Sequence, residues 1–165
     1  MQFSKDSFYM ALRQRLASLN PKRTVAVNGV VRPALIVVEN EPPTPALPER
    51  DAFYVSFGQV GPALDVAWTC GPLLMLEVAI AYRTAGALSS NSDRGRSLAA
   101  LDSELLAICL PASAPKCDYT GQPAVSLGSN ILWSAPQLGA PDAAGCELRR
   151  TAMLKLFFRC EETAQ

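Results

Sequence analysis

The sequence predicts an α+β fold: an antiparallel (mixed) β-sheet, two main α-helices, and long irregular loops or arms. Three stretches carry that expectation. In residues 73–84, LLMLEVAIAYRT, Leu76, Val78, Ile80 and Tyr82 alternate with Glu77, Ala79, Ala81 and Arg83, the period of a strand with one buried face. After a polar loop, Leu98, Leu101, Leu105 and Ile108 recur at helical spacing. In residues 148–160, Leu154, Leu156, Phe158 and Cys160 share one face, and Lys155, Phe157 and Arg159 the other.

From the start of the chain, Ser4 or Asp6 is positioned to cap a first helix. Its apolar stripe is Phe8, Leu12, Leu16 and Leu19, with Lys5, Arg13, Gln14 and Arg15 largely off it. Asn20-Pro21 ends the helix, because a residue before proline is pushed out of helical φ/ψ. Asn28-Gly29 between β-branched residues predicts a tight hairpin, and Arg32-Pro33 makes its second arm short or an edge. Residues 34–38 form an unbroken apolar run, too short for a helix, which reads as a strand covered on both faces.

The four prolines around EPPTPALPERD make 42–51 an extended loop. Residues 53–83 read as a meander of antiparallel strands: 53–57, broken by Gly58 and Gly61-Pro62, then 64–70, then the long strand after Gly71-Pro72. Ser92 or Asp93 caps the second helix, and Pro111 follows its end. From 111 to 146 the chain is rich in Pro, Gly, Ala and Ser, and it reads as an irregular arm except for a short strand at 131–134.

At 165 residues the chain is long enough for one domain, 1–165, with its own core. Its net charge is formally zero, which gives no electrostatic case for nucleic-acid binding and lowers the barrier to self-association. The opening MQFSKDSFYMALRQRL lacks an apolar segment and a small-residue cleavage site, so it does not read as a signal peptide, and the chain is expected to be soluble and made in a cytoplasm.

No catalytic, cofactor or metal motif can be read. There is no histidine, which removes the commonest general base and metal ligand. Five cysteines, at 70, 109, 117, 146 and 160, are irregularly spaced with no C-x-x-C pair, and read as buried or half-buried free thiols. A Cys109–Cys117 disulfide is possible, but nothing in the sequence supports it. Gly58-Gln59-Val60-Gly61 opens no helix, so it reads as a bulge or turn before a phosphate cradle. Glu77 reads as solvent-facing. Asp102 and Glu104 lie on different helix faces. Arg149 and Arg150 point to opposite faces of a strand, where salt bridges across a subunit boundary suit a neutral protein better than a phosphate site. Trp68 and Trp133 read as packing; exposed, they would be interface anchors.

The order of elements resembles the tail-terminator (tail-completion) proteins of long-tailed bacteriophages. The resemblance rests on the helix SFYMALRQRLASL, the strands VVRPALIVVENE, LEVAIAYRT and TAMLKLFFR, and the helix GRSLAALDSELLAICL. It covers about two-thirds of the chain as a pattern, with longer loops at 42–51, 53–72 and 111–146 than the shorter family members carry. It implies two helices packed on one face of the sheet, and a non-enzymatic virion protein without cofactor. In that family six copies close into a ring that caps the tail tube at the neck, touching the tail-tube protein, the neck or head-completion protein, and DNA only as it passes. With that role the acidic Glu39, Glu41 and Glu49 are expected near the lumen, since a DNA conduit gains from not gripping phosphate. Two other readings stand beside it. One is a connector or strand-adding adaptor of a tail-like particle. The other is a small enzyme using a carboxylate or a cysteine, with Cys109 or Cys117 the least implausible nucleophile.

Overall fold

The computed structural model describes residues 1–40, 49–63, 73–86 and 93–160. The expected strand 64–70, most of the 42–51 loop, the centre of the 85–93 loop, Glu41, Trp68, Cys70 and Ser92 lie outside those residues.

The chain runs α1 (Gln2–Leu19), β1 (Thr24–Val27), β2 (Val30–Pro33), β3 (Leu35–Val37), β4 (Phe53–Pro62), β5 (Leu73–Thr84), α2 (Arg94–Ile108), β6 (Ser113–Asp118), β7 (Val125–Trp133), β8 (Gln137–Leu138), β9 (Asp142–Ala144) and β10 (Glu147–Arg159). The main sheet has the order β3-β4-β5-β10-β7-β6, and β8 and β9 pair with β10. Every pairing in it is antiparallel except β3 with β4. The sheet is therefore mixed, and the α+β class read from the sequence holds.

Its centre is the β5–β10 ladder, registered without a break from Leu148↔Thr84 to Arg159↔Leu73. Strand alternation then decides the faces. Leu76, Val78, Ile80 and Tyr82 of β5, and Ala152, Leu154, Leu156 and Phe158 of β10, enter one core with the buried faces of both helices. Helix α1 contributes Phe8, Leu12 and Leu16, and α2 contributes Leu98, Leu101, Leu105 and Ile108. Both helices thus lie on one side of the sheet. Glu77 and Lys155, cross-strand neighbours, lie on the other and are exposed.

The Asn28-Gly29 turn joins β1 and β2 in two residues, with φ +50° and +79°, as a turn matched to strand twist requires. This hairpin forms a second, smaller core, in which Val25 meets Ala34, Ile36 and Ala52. β3 sits between the two cores, with Leu35 and Val37 facing one and Ile36 the other. That is why its run shows no alternation. Gly58 and Gly61-Pro62 do not end β4. The strand passes through them with a register shift between Phe57 and Val60, so the glycine segment is a bulge.

Three expectations need correction. Helix α1 starts at Gln2, so Ser4 and Asp6 lie inside it rather than at its cap, and neither helix has a side-chain cap hydrogen bond. Ser4 is buried, while Leu19, assigned to the apolar stripe, is exposed at the helix end. The segment 111–146 is not an irregular arm. It holds the β6–β7 hairpin and the short β8 and β9, and the expected 131–134 strand is the end of β7. Pro115 is tolerated there because β6 is an edge strand.

Leu156→Ala is expected to destabilise the fold by about 3 kcal/mol, through lost burial and the cavity left behind. Lys155→Ala, one residue away on the open face, should change stability by no more than about 0.5 kcal/mol. Urea unfolding of the two variants checks the assigned faces.

Candidate assembly surface

The polar side chains of the fold gather into internal knots. In the first, the Tyr82 hydroxyl, directed from β5 towards α2, donates to Asp102 Oδ1 at 2.5 Å. Arg150 pairs with Oδ2 of the same carboxylate at 3.5 Å. Tyr82 and Arg150 are cross-strand neighbours, so α2 is tied to the central ladder by one carboxylate. Burial and the Asp102 hydrogen bond push the Tyr82 phenol well above its ordinary range. In the second, Glu104 receives Asn20 Nδ2 at 2.7 Å and both Nε and Nη2 of Arg23, joining the end of α1 to α2. Asp102 and Glu104 do serve different faces of α2.

The third knot lies on the face away from the helices. Glu147 accepts from Arg83 at 2.8 Å and Arg50 at 3.0 Å, with Arg149 at 3.6 Å. Arg83 follows the alternation of β5, yet it is buried, because Glu147 and its partners cover it. Burial acts to raise the Glu147 carboxyl, but hydrogen bonds and charge from Arg50 and Arg83 outweigh it and hold the group below its ordinary value. Arg149 and Arg150 therefore do point to opposite faces, and each has a partner within its own chain.

The fourth knot closes the passage from α2 into β6. Arg15 Nη1 donates to the Ile108 and Pro111 carbonyls at 3.1 and 2.7 Å, and Nη2 to Ser113 at 2.9 Å. Its guanidinium stacks 5.1 Å over the ring of Trp133. Burial lowers the Arg15 pKa, with a smaller opposing effect from Cys109. Trp133 is only 4% exposed, donates Nε1 to the Cys109 carbonyl at 2.8 Å, and meets Phe8 edge-on at 5.2 Å. It is a core residue and not a surface anchor, because the helices and β7 enclose it.

Of the expected lumen acids, Glu39 is exposed and pairs with Lys5 at 2.9 Å. Lys5 also lies 4.8 Å over the Phe57 ring. Glu49 is exposed, and its N–H donates to the Tyr54 hydroxyl at 2.6 Å. The cysteines at 109, 117, 146 and 160 are free thiols; Cys109 is buried and Cys117 half-buried as expected, whereas Cys146 and Cys160 are exposed. Burial raises the Cys109 thiol to about 12, an effect Arg15 only partly offsets, so it is a weak nucleophile at neutral pH. Among the described residues no cluster of acidic or thiol side chains could hold a metal ion.

Several apolar side chains are exposed as well. Val30 and Val31, at the hairpin tip, are 62% and 69% exposed. On the open face of the sheet, Leu132, Phe157 and Met75 form one cross-strand row on β7, β10 and β5, and exposed Met153 lies on the same face of β10, two residues from Lys155. Alternation had placed Phe157 on this face beside Lys155 and Arg159. Phe157 and Met75 belong to it because each sits between residues that face the core.

No protein-family model matches the chain, and no curated protein does. Among solved structures it is similar to a chain of a structure described as the virion of a native gene transfer agent particle. The two share 16% identity with a TM-score of 0.39, over 94% of this chain and 97% of that one. At those values the likeness carries no information about role.

Glu147→Gln should destabilise the fold by about 3 kcal/mol at neutral pH, because it leaves the buried Arg83 without its carboxylate. The wild-type pair contributes above the ordinary carboxylate pKa and is lost as pH falls through the lower folded value. Melting temperature against pH should therefore fall on the acid side less steeply in Glu147→Gln than in wild type. In addition, Trp133→Phe should cost about 1 kcal/mol from the lost indole hydrogen bond, read by denaturant unfolding.

Proposed function

We propose that this chain is a structural protein of a phage-tail-like virion: a tail terminator whose copies close into a ring, with six the expected number, at the junction of tail tube and neck. The observation that carries the reading is the open face of the sheet. Both helices cover one side, and the other side carries exposed Leu132 and Met153 with half-buried Met75 and Phe157, while Val30 and Val31 are exposed at a separate tip. Such a chain is finished by neighbours. Contacts between unlike surfaces that close by rotation give a ring. The fold is also the one the tail-terminator resemblance implies. The burial of Cys109 argues against a thiol enzyme.

In this reading the partners are other copies of the chain, the tail-tube protein and the neck or head-completion protein, in particles assembled in a bacterial cytoplasm. DNA only passes through. Glu39, Glu41 and Glu49 face the lumen, and the Lys5 partner of Glu39 lowers its net charge there. A density map of the ring with these acids on its outer rim would refute that placement.

Light scattering on the purified protein should give about six times the 17.7 kDa protomer mass, or that mass on adding tail tubes. Val31→Asp with Met153→Asp should leave unfolding stability within about 1 kcal/mol of wild type, since both sites are exposed, and should abolish the ring. A chain that stays monomeric and never enters tail particles rules the proposal out.

A further inference from the structure

The main path of the sheet ends in β3 on one side and β6 on the other, and α1 bonds to both. In a flat sheet the five steps from β3 to β6, at about 4.8 Å each, would set those edges about 24 Å apart. A helix with its side chains is only about 10–12 Å across. The sheet therefore curls around α1, and the helix fills the gap between the two edges. The faces of α1 agree with that seat. Phe8, Leu12 and Leu16 enter the core. Ser7, Ala11 and Arg15, at helical intervals of four, form a ridge on one flank of that face, and Tyr9 lies on the other flank.

Side chains of α1 close both edges. The Trp133 N–H donates to the Ala112 carbonyl at 3.0 Å, so Ala112 and Ala114 turn their backbone groups to β7, and Ser113 and Pro115 turn theirs outward. The Ser113 carbonyl accepts from Arg15 Nη2 at 2.9 Å. Pro115 has no N–H to offer. Beyond the register shift, the Cys117 N–H points outward and donates to Ser7 Oγ at 2.9 Å. From Ser7 to Arg15 the helix rises about 12 Å, and from Ser113 to Cys117 the strand rises about 13 Å, so one ridge of α1 matches this edge along its length. On the other edge, the Phe53 N–H donates to the Ala34 carbonyl at 2.8 Å and the Val38 N–H to the Val55 carbonyl at 2.9 Å. Leu35 and Val37 therefore turn away from β4. The Leu35 carbonyl accepts from the Tyr9 hydroxyl at 3.3 Å, and the Val37 carbonyl from the Asn40 N–H at 3.2 Å.

We propose that α1 guards both ends of the sheet. Docked, it withholds β3 and β6 from pairing with a strand of another chain; loosened, it opens them to edge-to-edge association. A row of unpaired N–H and C=O groups at a sheet edge is a template for such pairing, and covering the edge with a helix is one way a fold prevents it. Burial of the apolar face of α1 needs only Phe8, Leu12 and Leu16. Ser7, Tyr9 and Arg15 spend their polar atoms on edge backbone instead, at opposite ends of the sheet. The guard goes beyond the ring reading and does not depend on it, because the hairpin tip and the open face stay accessible while α1 is docked.

The test uses the full-length protein carrying Val31→Asp and Met153→Asp, so that ring contacts do not enter the readout. Gln14 is exposed on α1, and Gln14→Pro breaks the helix without touching either edge, with Gln14→Ala as its control. Gln14→Pro should speed amide exchange at Cys117 about a hundredfold or more, while amides of β5 and β10 stay protected. Its mass by light scattering should then rise with concentration, together with thioflavin T fluorescence, and Gln14→Ala should show neither. Adding Cys117→Pro, which deletes an outward N–H that β7 does not use, should suppress the association. A milder pair, Ser7→Ala with Tyr9→Phe, keeps the helix and its core contacts and should speed Cys117 exchange about tenfold. A Gln14→Pro chain with fast Cys117 exchange that stays at protomer mass overturns the proposal, as does association that Cys117→Pro leaves intact. If Gln14→Pro unfolds throughout, the milder pair decides: Cys117 exchange that is unchanged, or that quickens only in step with β5 and β10, overturns it equally. Loss or survival of the ring in Val31→Asp with Met153→Asp alone bears on the ring and not on the guard.

Discussion

Everything else in the structure depends on the register of β5 against β10. A strand's side chains have a period of two, so a slip of one residue would turn one strand's faces over relative to the other's. Either Leu76, Val78 and Ile80 or Leu154, Leu156 and Phe158 would then meet water, and Glu77 or Lys155 would meet the helices. The hydrophobic penalty of that exchange pins the ladder. The pinned ladder in turn places Tyr82 beside Arg150 under α2, and Arg83 beside Arg149 near Glu147. The charge knots are consequences of register, and they add to its specificity because each requires two strands to agree.

The parts legible in the sequence were those where one periodicity dominates. Residues 73–84 and the buried positions of α2 follow their templates closely. The Asn28-Gly29 turn was legible because few dipeptides accept two positive φ values in succession. The β6–β7 hairpin was not. Its strands carry Pro115, Gly128 and several serines, and long parts of β7 are exposed on both faces, so no alternation develops. Pairing partners supplied by the rest of the fold, not local propensity, make those residues strands. The same limit applies to Arg83, Lys116 and Arg15. Each is a charged residue whose burial depends on a partner far away in the chain, and a linear pattern holds no record of that partner.

The candidate surface divides along similar lines. Sequence placed Arg149 and Arg150 correctly on opposite faces, because alternation is enough for that. It had no means of finding Asp102 and Glu147 as their partners within the chain. Trp133 lies in a segment of weak pattern, and only the enclosure by Phe8, Arg15 and the end of α2 makes it core. Several ionic groups are engaged internally, and exposed apolar side chains at the hairpin tip and on the open sheet face offer contacts of another kind to partners. Contacts of that kind weaken little with salt, in contrast to a surface of exposed charges.

Arg15 has a bearing on how such a chain can change over time. It stands on the part of α1 that a helical pattern labels as polar and replaceable, yet its planar fork holds three carbonyls of the α2–β6 crossing and stacks on an indole. A lysine, with one compact ammonium, cannot reproduce that set of angles. Nearby positions such as Gln14 and Ala17 are exposed and open to drift. Across distant relatives, an arginine at this place on the first helix would be a more durable mark of common descent than the loops that carry the contacts with other proteins.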